Sequence, residues 1–282
     1  MKKAFTLIEL LVVVAIIALL LSIIVPALRM AKMKASSAVC LTNTKNLSLG
    51  WYMYKEDNDG RIMSAQMDGV EPDGTRVGWI GQPYNTTAGD RGITATSPAV
   101  TDEDEIRGAK EGILHGYLKS PDVYHCPGDK LRKSKYDLTP VFVSYVIPSC
   151  LYGFTSPSNA MYNKQIRRYG EITSPGTRYV FVESAEERNW NMSGWFSLGA
   201  PEWTGNGTWG WWGPMAVNHG DSSTLGFVDG HAELRKWRDN YTRERVTKLS
   251  SLDTTTYNIE YPPAGQTEDL EYMARGWAYR NR

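Results

Sequence analysis

From Leu10 to Leu28 nineteen successive residues carry no charge, and Ser22 is the one overtly polar residue among them. At 1.5 Å per residue such a run nearly crosses a hydrocarbon core of about 30 Å, so the first element predicted is a membrane-spanning helix over roughly residues 5–28. Its hydrophobicity is uniform rather than one-sided, which disfavours a helix half-buried in a soluble core. Pro26 removes one helical hydrogen bond and predicts a kinked or loosened turn. Beyond it Leu28, Ala31, Ala35, Ala38, Val39, Leu49 and Met53 recur at spacings near three, four or seven, which carries the helix to about Tyr54. A helix of roughly 75 Å results, and its outer half must pack on the rest of the chain, on other subunits, or on both. Glu56-Asp57-Asn58-Asp59-Gly60 then ends it with residues that favour turns and left-handed backbone.

After residue 60 the periodicity changes. Ser64 to Asp104 is rich in Gly, Thr, Pro and Asp with short apolar pieces such as Val77-Gly78-Trp79-Ile80, predicting loops and one or two short strands. A short helix is expected over Glu111–Leu118. The β-branched and aromatic runs Val141–Ile147 and Tyr179–Glu183 read as core strands. Leu225 and Phe227 alternate ahead of Asp229-Gly230, and His231 to Trp237 follows, which predicts a hairpin turning on the Asp-Gly pair. The polar, Tyr-rich tail from Asn240 predicts an irregular arm or edge. The fold class is α+β: a long N-terminal hydrophobic helix packed on a C-terminal antiparallel β-rich domain of residues 56–282.

Composition narrows the function classes. Among 282 residues, 31 Lys and Arg balance 31 Asp and Glu, so no net field favours nucleic acid. Three cysteines form no C-x-x-C pair, which disfavours a zinc or redox motif. Outside the cytoplasm Cys126 and Cys150 offer one disulfide with Cys40 left over; the alternative is three small buried thiols. Asp57-x-Asp59-Gly60 has the carboxylate density of a calcium loop without its later ligands, and a plain helix stop is the other reading. His219, Asp221, Asp229 and His231 form a possible metal set by residue type, against a structural role in which Asp229 sets the turn and His219 bonds across the hairpin. No cofactor is required. Trp190, Trp195, Trp203, Trp209, Trp211 and Trp212 crowd one Gly-rich stretch, where they either present rings to a polysaccharide or a neighbouring subunit or fill a small core. His125 and Cys126, adjacent on extended chain, point to opposite sides and make no nucleophile pair. No phosphate loop, nucleophile elbow or zinc signature appears, so an enzyme is not expected.

Lys2 and Lys3 precede the apolar run and hold the N-terminus on the cytoplasmic side, although Arg29, Lys32 and Lys34 weaken the asymmetry. A cleaved secretory signal is a rival, with Val25-Pro26-Ala27 as its cleavage site. Glu9 counts against it, because a carboxylate heading an apolar segment costs about 2.5–3.5 kcal/mol to insert. A lipoprotein anchor would need a cysteine directly after the run, and Cys40 comes twelve residues late. Ala4-Phe5-Thr6-Leu7-Ile8-Glu9 resembles the processing signal of type IV prepilins and type II secretion pseudopilins, with one departure, Ala4 where that family usually has Gly.

That resemblance implies a leader of residues 1–4, cleavage between Ala4 and Phe5 by a prepilin peptidase, N-methylation of Phe5, and a stem helix over 5–55 carrying Pro26. It also implies that Glu9 pairs with the Phe5 amine of a neighbouring subunit, and that the partners are other pilin or pseudopilin subunits and an inner-membrane assembly platform. The chain would cross the inner membrane once, with its bulk periplasmic or extracellular, and enter a filament on assembly. Cys40 to Leu47, Lys119 to Asp129, and His219 separated by nine residues from Asp229-Gly230 are similar to passages of large pilin-like proteins of the Planctomycetes–Verrucomicrobia kind. The alternative is a membrane-anchored, Trp-rich glycan- or surface-binding module that assembles no filament.

Overall fold

The computed structural model describes residues 6–85, 90–91, 101–129, 142–155, 157, 162–184, 195–205, 207–213, 215–249 and 259–278. Helix α1 (Leu7–Asp57) runs 51 residues, unbroken through Pro26. Its start is fixed locally, because Thr6 Oγ1 accepts from the Glu9 N–H and the Glu9 carboxylate accepts from the Thr6 N–H at 2.8 Å. This reciprocal capping box satisfies two amides that a helix start otherwise leaves unpaired. All residues from 6 to 35 are exposed. Burial begins at Cys40 and follows Thr44, Leu47, Ser48, Trp51 and Lys55, one face of the helix.

That face is not the expected stripe, since Val39, Leu49 and Met53 stay 48%, 40% and 51% exposed. Close approach explains the difference. A Cβ added at Gly226 would lie 2.1 Å from Ser48 Oγ and 2.9 Å from Thr44 Cγ2, so the positions facing the sheet are small and partly polar.

The sheet under α1 contains β3 (Tyr145–Pro148), β4 (Tyr179–Glu183), β5 (Trp195–Phe196), β8 (Ser222–Phe227) and β9 (Ala232–Lys236) in the order β5-β3-β4-β8-β9. Its pairings are antiparallel except β3 with β5. Two short antiparallel pairs lie outside it, β1 (Tyr84–Asn85) with β2 (Asp90–Arg91) and β6 (Leu198–Gly199) with β7 (Gly210–Trp211). Strands β3 and β4 are buried along their length, as their β-branched and aromatic runs require.

Helix α2 (Asp102–Glu111) precedes the single turn α3 (His115–Leu118), so the expected helix over 111–118 is replaced by a break at Gly112. There a Cβ would meet Ile80 Cα at 2.4 Å; the backbone of 79–82 packs directly on α2, and glycine is what permits it. Helices α4 (Pro201–Thr204), α5 (Asn240–Leu249) and α6 (Glu268–Gly276) follow. The expected irregular tail therefore contains two helices, and α6 leads Trp277 into the core fully buried. Two aspartates anchor it: Asp269 accepts from the N–H of Arg238 and of Asp239, and Asp239 accepts from the Asp269 N–H at 2.8 Å.

Candidate processing signal and stem–head junction

Ala4 and Phe5 lie outside the described residues. Next to them, both the N–H and the hydroxyl of Thr6 donate to Glu9 Oε2, at 2.8 and 2.9 Å. Sequence reasoning treated Glu9 only as a partner for another chain, although Thr6-x-x-Glu9 is itself a helix-start signature. From Leu7 to Leu28 every apolar side chain is exposed; Leu7, Ile8, Leu19, Ile23 and Leu28 are each more than 60% exposed. The helix is long and apolar enough to cross a membrane, and none of its most apolar stretch is buried. Pro26 sits within this uncovered part.

The helix enters the head at Cys40, which forms a disulfide with Cys126, the Cα atoms 5.3 Å apart. The expected Cys126–Cys150 bridge is thus corrected. α1 brings Cys40 within disulfide reach of Cys126, whereas Cys150 lies fully buried in the turn after β3, a free thiol whose pKa burial pushes far up. Cys126 opens a tight turn in which Asp129 N–H donates to the Cys126 carbonyl at 2.9 Å. Ser144 Oγ accepts from the Cys126 N–H and donates to Asp129. Asn43 of α1 donates to the His125 carbonyl at 2.9 Å, a second tie between helix and turn.

His219 fills the space over this turn. Its Nε2 lies 3.4 Å from Cys126 Sγ and 3.1 Å from Glu183 Oε1, and all three residues are buried. Gly128 makes room for the ring, since a Cβ there would fall 2.7 Å from His219 Cε1. Glu183 Oε1 also accepts from the Thr224 N–H, and Thr224 Oγ1 lies 2.8 Å from Thr44 Oγ1 on α1. His219 therefore does not bond across the hairpin. The nine-residue spacing sets it at one end of β8 and Asp229-Gly230 at the other.

At that far end the expected turn is present. Asp229 Oδ1 accepts from the His231 N–H at 3.2 Å, Gly230 adopts φ +92°, and Leu49 of α1 closes over Gly230 so that a Cβ would meet Leu49 Cδ2 at 2.9 Å. Both ends of β8 thus rest on α1.

The remaining candidates are not gathered into a site. Asp57 ends α1 and Asp59 takes a left-handed φ of 52° in the turn that stops it, while Asp221 pairs with Arg243 at 3.1 Å. Among the described residues, the group whose ligand atoms lie within 4.8 Å of one another is Cys40, Cys126, Glu183 and His219, and it contains none of those three aspartates. Of the tryptophans, Trp211 is in the core, Trp209 and Trp212 are half-buried, and Trp190 lies outside the described residues. Trp209 lines an open groove of about 430 Å³ with Arg178, Glu271 and Arg275. Sequence reasoning placed Glu183 only at the end of a core strand and did not link Cys40 to His219.

A family model described as the prokaryotic N-terminal methylation motif matches residues 1–25. No curated protein and no solved structure matches the chain. Joined to a long apolar helix that the rest of the chain leaves uncovered, the match supports a membrane-anchored, type IV pilin-like protein bearing a prepilin processing signal.

Proposed function

We propose that this chain is a prepilin-like structural subunit, cut by a prepilin peptidase between Ala4 and Phe5, methylated at the new amine, and assembled through its stem into a type IV pilus or type II secretion pseudopilus. Residues 1–4 are the leader, 5–55 the stem with its membrane part over about 5–28, and 56–282 the head outside the cytoplasm. The observation that carries this reading is the coincidence of the methylation motif over residues 1–25 with a helix exposed at every residue from 6 to 35. Within it the uncharged run Leu10–Leu28, about 28 Å long, must be covered by lipid or by other copies.

In this reading Glu9 has two tasks. Its Oε2 caps α1 through Thr6, which leaves Oε1 for the Phe5 amine of a neighbouring subunit; a carboxylate at membrane depth is retained where it finds a cation. The exposed side chains of Val39 and Met53 extend the contact beyond the bilayer. The inner-membrane assembly platform and other pilin-like subunits are the partners, and no catalytic step is assigned to the head.

The test is co-expression with a prepilin peptidase and mass determination of the N-terminus. A product beginning with methylated Phe5 is expected. An intact Met1, or a start near Leu28, overturns the proposal. In a chain that is processed, Glu9→Leu is expected to abolish assembly and leave the near-UV circular dichroism of the head unchanged.

A further inference from the structure

Four buried side chains from four separate elements meet where the stem enters the head. Cys40 comes from α1, Cys126 from the turn after the 3₁₀ segment Pro121–Tyr124, Glu183 from the end of β4, and His219 from the approach to β8. One ligand atom from each lies within 4.8 Å of the other three. Two polar atoms in this cluster, Glu183 Oε2 and His219 Nδ1, are buried with no hydrogen-bond partner. Natural interiors rarely leave a carboxylate oxygen or an imidazole nitrogen unpaired, and each such atom calls for an explanation. Gly128 lets the ring sit here, where a Cβ would meet His219 Cε1 at 2.7 Å.

The donor set is chemically specific. Two sulfurs, one imidazole nitrogen and one carboxylate oxygen form the borderline-soft, four-ligand set that suits Zn²⁺ and disfavours the hard, oxygen-seeking Ca²⁺ and Mg²⁺. As a disulfide the two sulfurs are not ligands. Reduction changes that, because a dithiol or phosphine reductant supplies two electrons, the S–S bond takes up two electrons and two protons, and two thiols result. A divalent cation then displaces those two protons as the thiolates bind it. A tetrahedral zinc with bonds of about 2.3 Å holds its sulfurs roughly 3.8 Å apart, a separation that side-chain rotation alone reaches from a broken disulfide.

We propose that the stem–head junction is a two-state closure: Cys40, Cys126, His219 and Glu183 form a tetrahedral site for Zn²⁺ or a similar thiophilic divalent cation when the cysteines are reduced, and the Cys40–Cys126 disulfide replaces that cation when they are oxidised. Either state ties α1 to the head at the same point. The site does not depend on processing or on filament assembly, and the unprocessed chain suffices to test it.

The full-length chain in detergent is reduced with a phosphine, stripped with a chelator and titrated with Co²⁺, then with Zn²⁺. Expected are thiolate-to-cobalt charge-transfer and tetrahedral ligand-field bands that saturate at one equivalent and are bleached by one equivalent of Zn²⁺. The oxidised chain, whose disulfide withholds both sulfurs, gives none. Cys126→Ser abolishes the bands, and His219→Gln weakens cobalt affinity at least tenfold. Should reduction itself loosen the head, recovery of the native near-UV circular dichroism with one equivalent of Zn²⁺ is the expected result, and failure to recover overturns the proposal. It is equally overturned by a reduced, folded chain without the bands, or by bands that survive in both variants.

Discussion

Replacing Gly226 by alanine drives a methyl group into α1. The new Cβ would sit 2.1 Å from Ser48 Oγ, 2.9 Å from Thr44 Cγ2 and 3.2 Å from the Thr44 carbonyl oxygen. Ser48 Oγ has no hydrogen-bond partner, so it rotates away without losing a bond; the Thr44 carbonyl moves only with the helix. Overpacking of this kind costs about 1–3 kcal/mol, and removing a glycine from a strand returns about 0.5–1 kcal/mol. The net expectation is a loss of about 1–2 kcal/mol. Ser48→Ala alone is neutral or stabilising, because it deletes a buried hydroxyl that bonds to nothing. Combined with Gly226→Ala it recovers part of the loss, with a coupling of about 1 kcal/mol between the two neighbours.

Urea unfolding of the full-length chain in detergent, followed by tryptophan fluorescence, measures this. Trp51, Trp79, Trp211, Trp237 and Trp277 are all fully buried and report on the head. A loss of 1–2 kcal/mol lowers the midpoint by about 0.5–1 M. Gly116→Ala is the control, since a Cβ there meets nothing within 4 Å. A Gly226→Ala chain as stable as the parent, or one whose loss Ser48→Ala leaves untouched, refutes the close packing of α1 on β8.

Three further outcomes are expected. Cys150, buried and with its thiol pKa raised by that burial, escapes iodoacetamide at pH 8 in the native chain and is alkylated once urea unfolds it; peptide mass mapping reads the difference. Burial alone would raise the Asp104 pKa, but donation from the Thr101 N–H and hydroxyl and from Arg107 outweighs it and sets the group below its ordinary 3.8. Its contribution is therefore present above that value and lost as pH falls through the lower folded pKa, so Asp104→Asn costs about 1 kcal/mol near neutrality and flattens the acid limb of melting temperature against pH. Gly230→Ala, at φ +92° and against Leu49, destabilises by about 1–3 kcal/mol in the same melts.

The apolar run, the helix stop at residues 56–60 and the hairpin on Asp229-Gly230 were legible because each rests on local chemistry: uniform hydrophobicity, turn residues, and an Asp-Gly pair between alternating strands. The contact face of α1 was not. Its buried positions mix Leu47 and Trp51 with Thr44, Ser48, Gly50 and Lys55, and the small ones meet the sheet because Gly226 lets the helix come close, near Thr224, which lies 180 residues from its partner Thr44. The disulfide eluded sequence reasoning for the same reason, since Cys40 to Cys126 spans 86 residues and is set by the docking of α1 rather than by spacing. The C-terminal helices hid behind a polar composition. In α6 and its cap, Leu270, Met273 and Trp277 fall at intervals of three and four and face the core.

The position of the disulfide bears on how load passes between stem and head. Cys40 is the first residue of α1 that the head buries, so a pull on the apolar half reaches the junction there before it reaches Thr44, Leu47 or Trp51. Non-covalent contacts loaded from one end open one at a time, and the strength of the junction is then that of its first contact rather than of the sum. Placing the covalent link at that first contact makes the whole stripe bear load together. Closing a loop of this length is also worth roughly 4.5 kcal/mol to the folded head in the chain-entropy account, more than any single pair along the stripe. The hairpin extends the argument: with His219 seated at the disulfide and Gly230 under Leu49, β8 is held against α1 at both ends, so the helix cannot tilt off the sheet about either one.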